Sequence, residues 1–133
     1  MAWSSRTGAN FLKAVARKVR ELHPGQVVLA SLGSGTGREQ SGRRPVIIVS
    51  SFDHLELVDQ LVTVVPCTKR NREWPNHELI TGVLGLPLPT YAMTEQIRTI
   101  DRIRLLRDLG TVDDDSLSRV TRWIDDWHFR RSA

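Results

Sequence analysis

The chain reads as a mainly β protein of the α+β type, a small and strongly bent antiparallel sheet or barrel with helix at both ends. Three features carry that reading. After Pro24-Gly25 the texture changes to short β-like runs, "QVVLASL", "PVIIVSS", "LVTVVPCT", "HELI" and "AMTEQIRTI", separated by polar turns. The run "PVIIVSS" is apolar on both faces, which calls for a central, buried strand with proline at its first position, where a missing N–H is tolerated. The end of the chain returns to helical spacing.

Taken in order, Phe11, Leu12, Val15, Val19 and Leu22 recur at helical intervals behind Asn10 as N-cap, and "HPG" ends the pattern. This basic, acid-poor segment superficially resembles a transit peptide, but no secretory apolar core or small-residue cleavage site follows, so residues 1–24 are read as a structural helical extension. Residues 25–133 form the main domain. Within it "FDHLELVDQ" is a connection with room for a helical turn. "TVDDDSLSRVTRWIDDWHF" puts acids in a first turn, where the helix dipole favours them, and places Leu117, Val120, Ile124 and Trp127 on one stripe to pack on the sheet.

At 133 residues there is enough chain for one core, not two. With 40% hydrophobic and 26% charged residues, the composition excludes a disordered or membrane-spanning chain, and no run approaches the roughly 20 apolar residues a bilayer requires. The single cysteine, Cys67, cannot form an internal disulfide and reads as a small buried hydrophobe, which fits a reducing, cytoplasmic setting. No Cys/His spacing offers a metal site, and neither metal nor other cofactor is expected. A net charge of +4 favours an anionic partner such as nucleic acid or an acidic protein segment.

Three stretches are candidates for chemistry. "GSGTGREQSGRRP" is Gly-rich, but it opens into a strand rather than a helix, which removes the mechanism of a nucleotide cradle. Its glycines let a long β-to-β connection bend, while Arg43 and Arg44 stand at the mouth of a rigid strand, where a guanidinium can present its planar fork to phosphate. "CTKRNREWPNH" is a second cationic loop leaving an apolar strand, with Thr68 at the exit, then Lys69, Arg70 and Arg72, and with Trp74 as a face for an unstacked base. If "TEQIRTIDRIRLL" is extended, Glu95, Ile97 and Thr99 face one way and Gln96 and Arg98 the other, offering polar readout groups. The four histidines, His23, His54, His77 and His128, are dispersed and read as structural or surface residues, and no catalytic triad can be defended from spacing.

The ordered strings "PGQVVLASL", "GREQSGRRPVIIVSS", "VTVVPCTKR" and "TEQIRTIDRIRL", followed by a final helix, resemble the MazF/PemK (Kid) family of toxin ribonucleases of bacterial toxin-antitoxin systems. The resemblance runs from about residue 25 to the last helix. It implies an SH3-like antiparallel β-barrel with a C-terminal helix, a homodimer, and metal-independent, sequence-selective cleavage of single-stranded RNA. It also implies a cognate acidic antitoxin, whose tail folds over the cationic groove. By the family's motifs, the catalytic arginine before the proline of the second strand corresponds to Arg44, and the catalytic threonine of the VPCT-type motif to Thr68. The family's Arg-Gly-Asp or Arg-Gly-Glu opening is replaced here by Pro24-Gly25-Gln26, which alters a local contact, and the N-terminal extension is an addition.

Cleavage without metal uses the substrate's own 2′-OH as nucleophile. The protein must then remove a proton, stabilise a dianionic phosphorane and help the 5′ oxygen leave, giving a 2′,3′-cyclic phosphate and a 5′-OH. Arg44 supplies cationic stabilisation and Thr68 a hydrogen bond to a non-bridging oxygen. Glu39 is the nearest carboxylate that could act as base, or orient Arg44 by an ion pair. Arg38, Gln40, Arg43, Lys69, Arg70 and Arg72 would line the RNA, with Trp74 and Gln96 touching bases. The competing class is a non-enzymatic binder, either a gyrase inhibitor of the CcdB kind, which shares the fold, or a barrel that holds RNA or an acidic peptide.

Overall fold

The computed structural model describes residues 21–33, 37 and 42–129. The helix expected in the N-terminal extension therefore lies outside the described residues, apart from residues 21–24, which are not helical. Eight strands follow: β1 (Gln26–Ser31), β2 (Arg43–Ile48), β3 (Leu61–Thr68), β4 (His77–Leu79), β5 (Gly82–Leu84), β6 (Tyr91–Met93), β7 (Arg98–Asp101) and β8 (Leu105–Val112). A short helix α1 (Phe52–Leu57) links β2 to β3, and α2 (Asp114–His128) closes the chain. Among the described residues no helix is long and apolar enough to cross a membrane.

All described strand pairs are antiparallel, in the order β4-β6-β3-β2-β1-β8-β5, with β7 also on β3. β2 is central as expected, and its alternation serves two cores. Val46 and Ile48 point into one with Val28, Ala30, Val62 and Val64, while Ile47 points into the other with Val27, Val65, Cys67, Val120 and Ile124. Leu55 of α1 caps the first core and α2 covers the second. All three β2 side chains are fully buried, each worth about 1.5–3 kcal/mol of transfer free energy.

The expected closed barrel is not what forms: the sheet is open. Its two ends, β4 and β5, are consecutive in the chain and joined only by Ile80 and Thr81, so the sheet curls back on itself without a ladder between them. The start of α2 occupies that gap. Ser116 Oγ accepts the Thr81 N–H at 3.0 Å and the Thr81 carbonyl accepts the Asp113 N–H at 2.8 Å, so the backbone of the β4–β5 link is tied to the start of α2. Asp113 also caps α2 by accepting the Ser116 N–H at 2.8 Å. The Thr81 hydroxyl, and after it Ser116, hold the Asp113 carboxyl below its ordinary value.

Three other expectations change. Pro45 is the third residue of β2, not the first. The run "AMTEQIRTI" is not one strand: a 3-10 turn, Thr94–Gln96, separates β6 from β7. Between the pairs Val64↔Arg98 and Cys67↔Ala92, β3 advances three residues while its partner spans six. Opposite that excess stands Pro66, which has no N–H for a ladder, and the turn absorbs the extra residues. The alternation of Glu95, Ile97 and Thr99 against Gln96 and Arg98 is lost with it. On α2, Leu117, Val120 and Ile124 face the core, but Trp127 is 51% exposed, its indole N–H donating to Thr94 Oγ1 at 3.3 Å.

The Pro24-Gly25-Gln26 opening has a local explanation. Gly25 adopts φ +86° and its N–H donates to the Ile48 carbonyl at 2.7 Å, while its own carbonyl accepts from Val112 at 2.9 Å. Gln26 is buried, with Oε1 accepting the His23 N–H at 3.2 Å. A neutral amide there avoids burying a carboxylate.

Candidate active-site cleft

The cleft begins where the sheet comes apart. The β2–β3 ladder runs Ile48↔Val64, Ile47↔Val65, Val46↔Pro66 and stops. The next positions on the two strands are Pro45 and Cys67, then Arg44 and Thr68. Val49 donates to the Thr63 carbonyl, so alternate residues Val49, Ile47 and Pro45 turn their backbone groups toward β3; Pro45, level with Cys67, has no N–H, and the ladder loses its donor there. Beyond it β3 turns to pair with β6 through Cys67↔Ala92 and Thr68↔Tyr91, while β2 stays with β1 through Ala30↔Arg44 and Ser31↔Arg43. The strands fork and leave an open cleft of ≈ 630 Å³. One wall is Arg43, Arg44 and Pro45; the other is Cys67, Thr68, Lys69 and Arg70; Leu86, Pro87, Leu88 and Thr90 of the β5–β6 link form an apolar third side.

Arg44 bridges the fork. Its Nη1 donates to the Cys67 carbonyl at 3.1 Å, which sets the guanidinium beside Thr68 although 24 positions separate the two residues in the chain. Partial burial pulls the Arg44 pKa below its ordinary value, an effect opposed by Cys67 and reinforced by the positive charges of Arg72 and Arg98. A desolvated cation among other cations is a site that gains from an anion. Thr68 Oγ1 accepts the Arg70 N–H at 3.1 Å, which leaves its hydroxyl hydrogen to act as a donor. Cys67 is fully buried, and burial pushes its thiol up to about 12, so it is a neutral packing group and no nucleophile.

The site residues singled out in the sequence thus divide. Arg43, Arg44, Thr68, Lys69 and Arg70 come together in the cleft. Arg72 lies with its guanidinium 5.8 Å from the Trp74 ring centroid, and Trp74 is 46% exposed outside the cleft lining. Gln96 sits in the 3-10 turn and does not line the cleft. Arg38, Glu39 and Gln40 fall outside the described residues.

Two features went unread in the sequence. "GLPLPT" supplies the apolar wall, and its only sequence signal is a Pro-rich apolar run between two short strands. His77 is the other: its Nε2 lies 2.8 Å from Glu95 Oε1, and its ring centroid is 4.8 Å from that of Trp74. No spacing rule joins those three positions.

Residues 23–128 match the family described as PemK-like, MazF-like toxin of type II toxin-antitoxin system, and the chain belongs to it. The endoribonuclease MazF of Staphylococcus saprophyticus is 34% identical over 104 residues, covering 76% of this chain and 86% of that protein. The crystal structure of MazF from Deinococcus radiodurans shares the fold at a TM-score of 0.71 and 24% identity, over 80% of this chain and 94% of that one. A MazE-MazF crystal structure from the same organism gives 0.65 and 23%, with the same coverage.

Proposed function

We propose that this toxin-family protein is a metal-independent endoribonuclease that cleaves single-stranded RNA to 2′,3′-cyclic phosphate and 5′-OH ends, with Arg44 and Thr68 at the scissile phosphate. The observation that carries the reading is the Arg44–Cys67 carbonyl bond across the fork, which mounts a partly desolvated guanidinium beside the Thr68 hydroxyl. The substrate's 2′-OH attacks the phosphorus, so no enzyme nucleophile is needed. Arg44 stabilises the two negative charges of the phosphorane, and the Thr68 hydroxyl donates to a non-bridging oxygen. Arg43, Lys69, Arg70 and Arg72 hold flanking phosphates, with Arg38 and Gln40 joining them from the glycine-rich connection. Glu39 is the carboxylate assigned to proton removal or to orienting Arg44. Trp74 stacks on a base, and Gln96 is the remaining polar contact.

The match to MazF of Staphylococcus saprophyticus supports the activity class. The same cations suit an acidic antitoxin segment, and a MazE-MazF crystal structure from Deinococcus radiodurans among the chain's structural neighbours supports an antitoxin partner. The working unit is a cytoplasmic homodimer of residues 25–133, an SH3-like barrel in the broad sense of a curled sheet plugged by helix, and residues 1–24 are an appended segment. The test is incubation of purified protein with mixed-sequence RNA in EDTA, followed by sequencing of the ends. Cleavage with the stated termini, lost in Arg44→Ala and in Thr68→Ala, is the expected result. No cleavage by folded wild type, or full activity in both variants, would overturn the proposal; gyrase inhibition without RNA scission would move the protein to the non-enzymatic class.

A further inference from the structure

Beyond the cleft, the β3–β4 loop that carries Lys69, Arg70, Arg72 and Trp74 is fastened at its far end by a set of polar contacts that no step above uses. Trp74 packs on the ring of His77, and the Trp74 carbonyl accepts the His77 N–H at 3.0 Å. The His77 side chain is 1% exposed, with Nε2 at 2.8 and 3.0 Å from the two Glu95 oxygens. Glu95 Oε1 also accepts from Asn76 Nδ2 at 2.9 Å, and the Thr94 hydroxyl donates to the Asn76 carbonyl at 2.8 Å. His77 Nδ1 is buried and has no hydrogen-bond partner among the described residues. The ring's orientation therefore rests on one polar contact, the one to Glu95.

The loop itself is turned by local bonds: Asn71 Oδ1 accepts the Glu73 N–H at 2.9 Å, and Glu73 takes the left-handed region at φ 60°. From there Arg72 lies over the exposed Trp74 face, and its charge reaches Arg44. A line of contacts thus runs from Arg72 through Trp74 and His77 to Glu95.

We propose that Glu95 is a positioning residue: by fixing the His77 ring it sets the Trp74 face, and with it Arg72, as a base-stacking platform beside the cleft. The inference rests on the reading of that cleft as an RNA site. It carries a sign that separates it from plain electrostatics. Glu95 is an anion beside a cationic loop, so deleting its charge strengthens RNA binding if charge alone matters. Deletion weakens binding if the carboxylate acts through His77 and Trp74.

The test compares wild type, Glu95→Ala, Glu95→Gln, His77→Phe, Trp74→Ala and the Trp74→Ala/Glu95→Ala double variant. KM and kcat are measured on a fluorescein-labelled single-stranded RNA, with Kd from fluorescence anisotropy and thermal melting for each protein. Stacking of one base sets the scale, so Glu95→Ala raises KM and Kd by about three- to tenfold, with kcat within about twofold of wild type. Gln keeps an acceptor for the His77 Nε2–H and restores most of the affinity. His77→Phe, which keeps a flat ring but not the N–H, behaves like Glu95→Ala and serves if that variant does not fold. In the Trp74→Ala background, removing Glu95 adds no loss. Tighter RNA binding by Glu95→Ala, or an equal loss with and without Trp74, overturns the inference, as does absence of RNA binding by wild type. RNA binding with the predicted coupling but no cleavage refutes the enzymatic function and leaves the positioning role standing.

Discussion

Replacing Arg44 with lysine keeps the charge and removes the geometry, which makes it the sharpest probe of the cleft. Arg44 spends one N–H on the Cys67 carbonyl at 3.1 Å, and this contact aims the planar guanidinium into the fork. A lysine has a compact ammonium on a flexible stem, so it cannot hold that carbonyl and also present a rigid fork to phosphate. Loss of one preorganised donor at a developing oxyanion costs on the order of 10²–10³ in kcat, about 2.7–4 kcal/mol. The cost to folding is far smaller. One hydrogen bond at a half-exposed side chain is worth about 1 kcal/mol net, a fall in Tm of roughly 3–6 °C for a domain of this size. The assay pairs initial cleavage rates on single-stranded RNA with thermal melting followed by circular dichroism. Arg44→Lys is expected to stay folded at the assay temperature and lose at least about a hundredfold in kcat. Activity within about threefold of wild type, or a loss that tracks the unfolded fraction, would refute the guanidinium's role.

Two further outcomes follow from the fold. The Cys67 thiol is pushed from 9.0 up to about 12 by burial, so folded protein holds its proton while an unfolded chain releases it above pH 9. Stability is then fully present below pH 9 and falls as pH rises toward 12; urea melts across that window should slope downward in wild type and less steeply in Cys67→Ala. Gly110 sits at φ +124° in β8, where a Cβ would lie 2.1 Å from the Val83 carbonyl oxygen. Gly110→Ala must break the β5–β8 ladder to relieve that contact and should cost roughly 2–4 kcal/mol, read as a lowered urea midpoint; a midpoint within error of wild type would contradict the placement of β5 against β8.

Much of the architecture can be read without coordinates because its signals are local. The two-faced apolarity of "VIIV", the acids ahead of Leu117 and the turn residues around Pro24-Gly25 each act within a few positions, and period alone separates strand from helix. The family motifs placed Arg44 and Thr68 as a pair before any geometry was known. Where long-range pairing decided the outcome, local reading failed. The strand expected over "AMTEQIRTI" breaks because Pro66, almost thirty positions earlier, stands opposite its middle. Trp127 keeps the helical stripe's spacing, yet it is half-exposed and its indole N–H donates to the hydroxyl of buried Thr94, a partner no periodicity names.

By itself, then, the sequence determined the mainly β class, the central strand, the closing helix and the cationic character of the stretches around Arg44 and Thr68. Only the tertiary structure decided that the sheet stays open with α2 in its gap, and that Pro45, level with Cys67, ends the β2–β3 ladder where the cleft begins. It alone brought Glu95 to His77 and His77 to Trp74. The physical reason is common to all three: period and turn chemistry act between neighbours in the chain, whereas register and the loss of a ladder hydrogen bond act between strands, and nothing in either strand alone records which residue it will face.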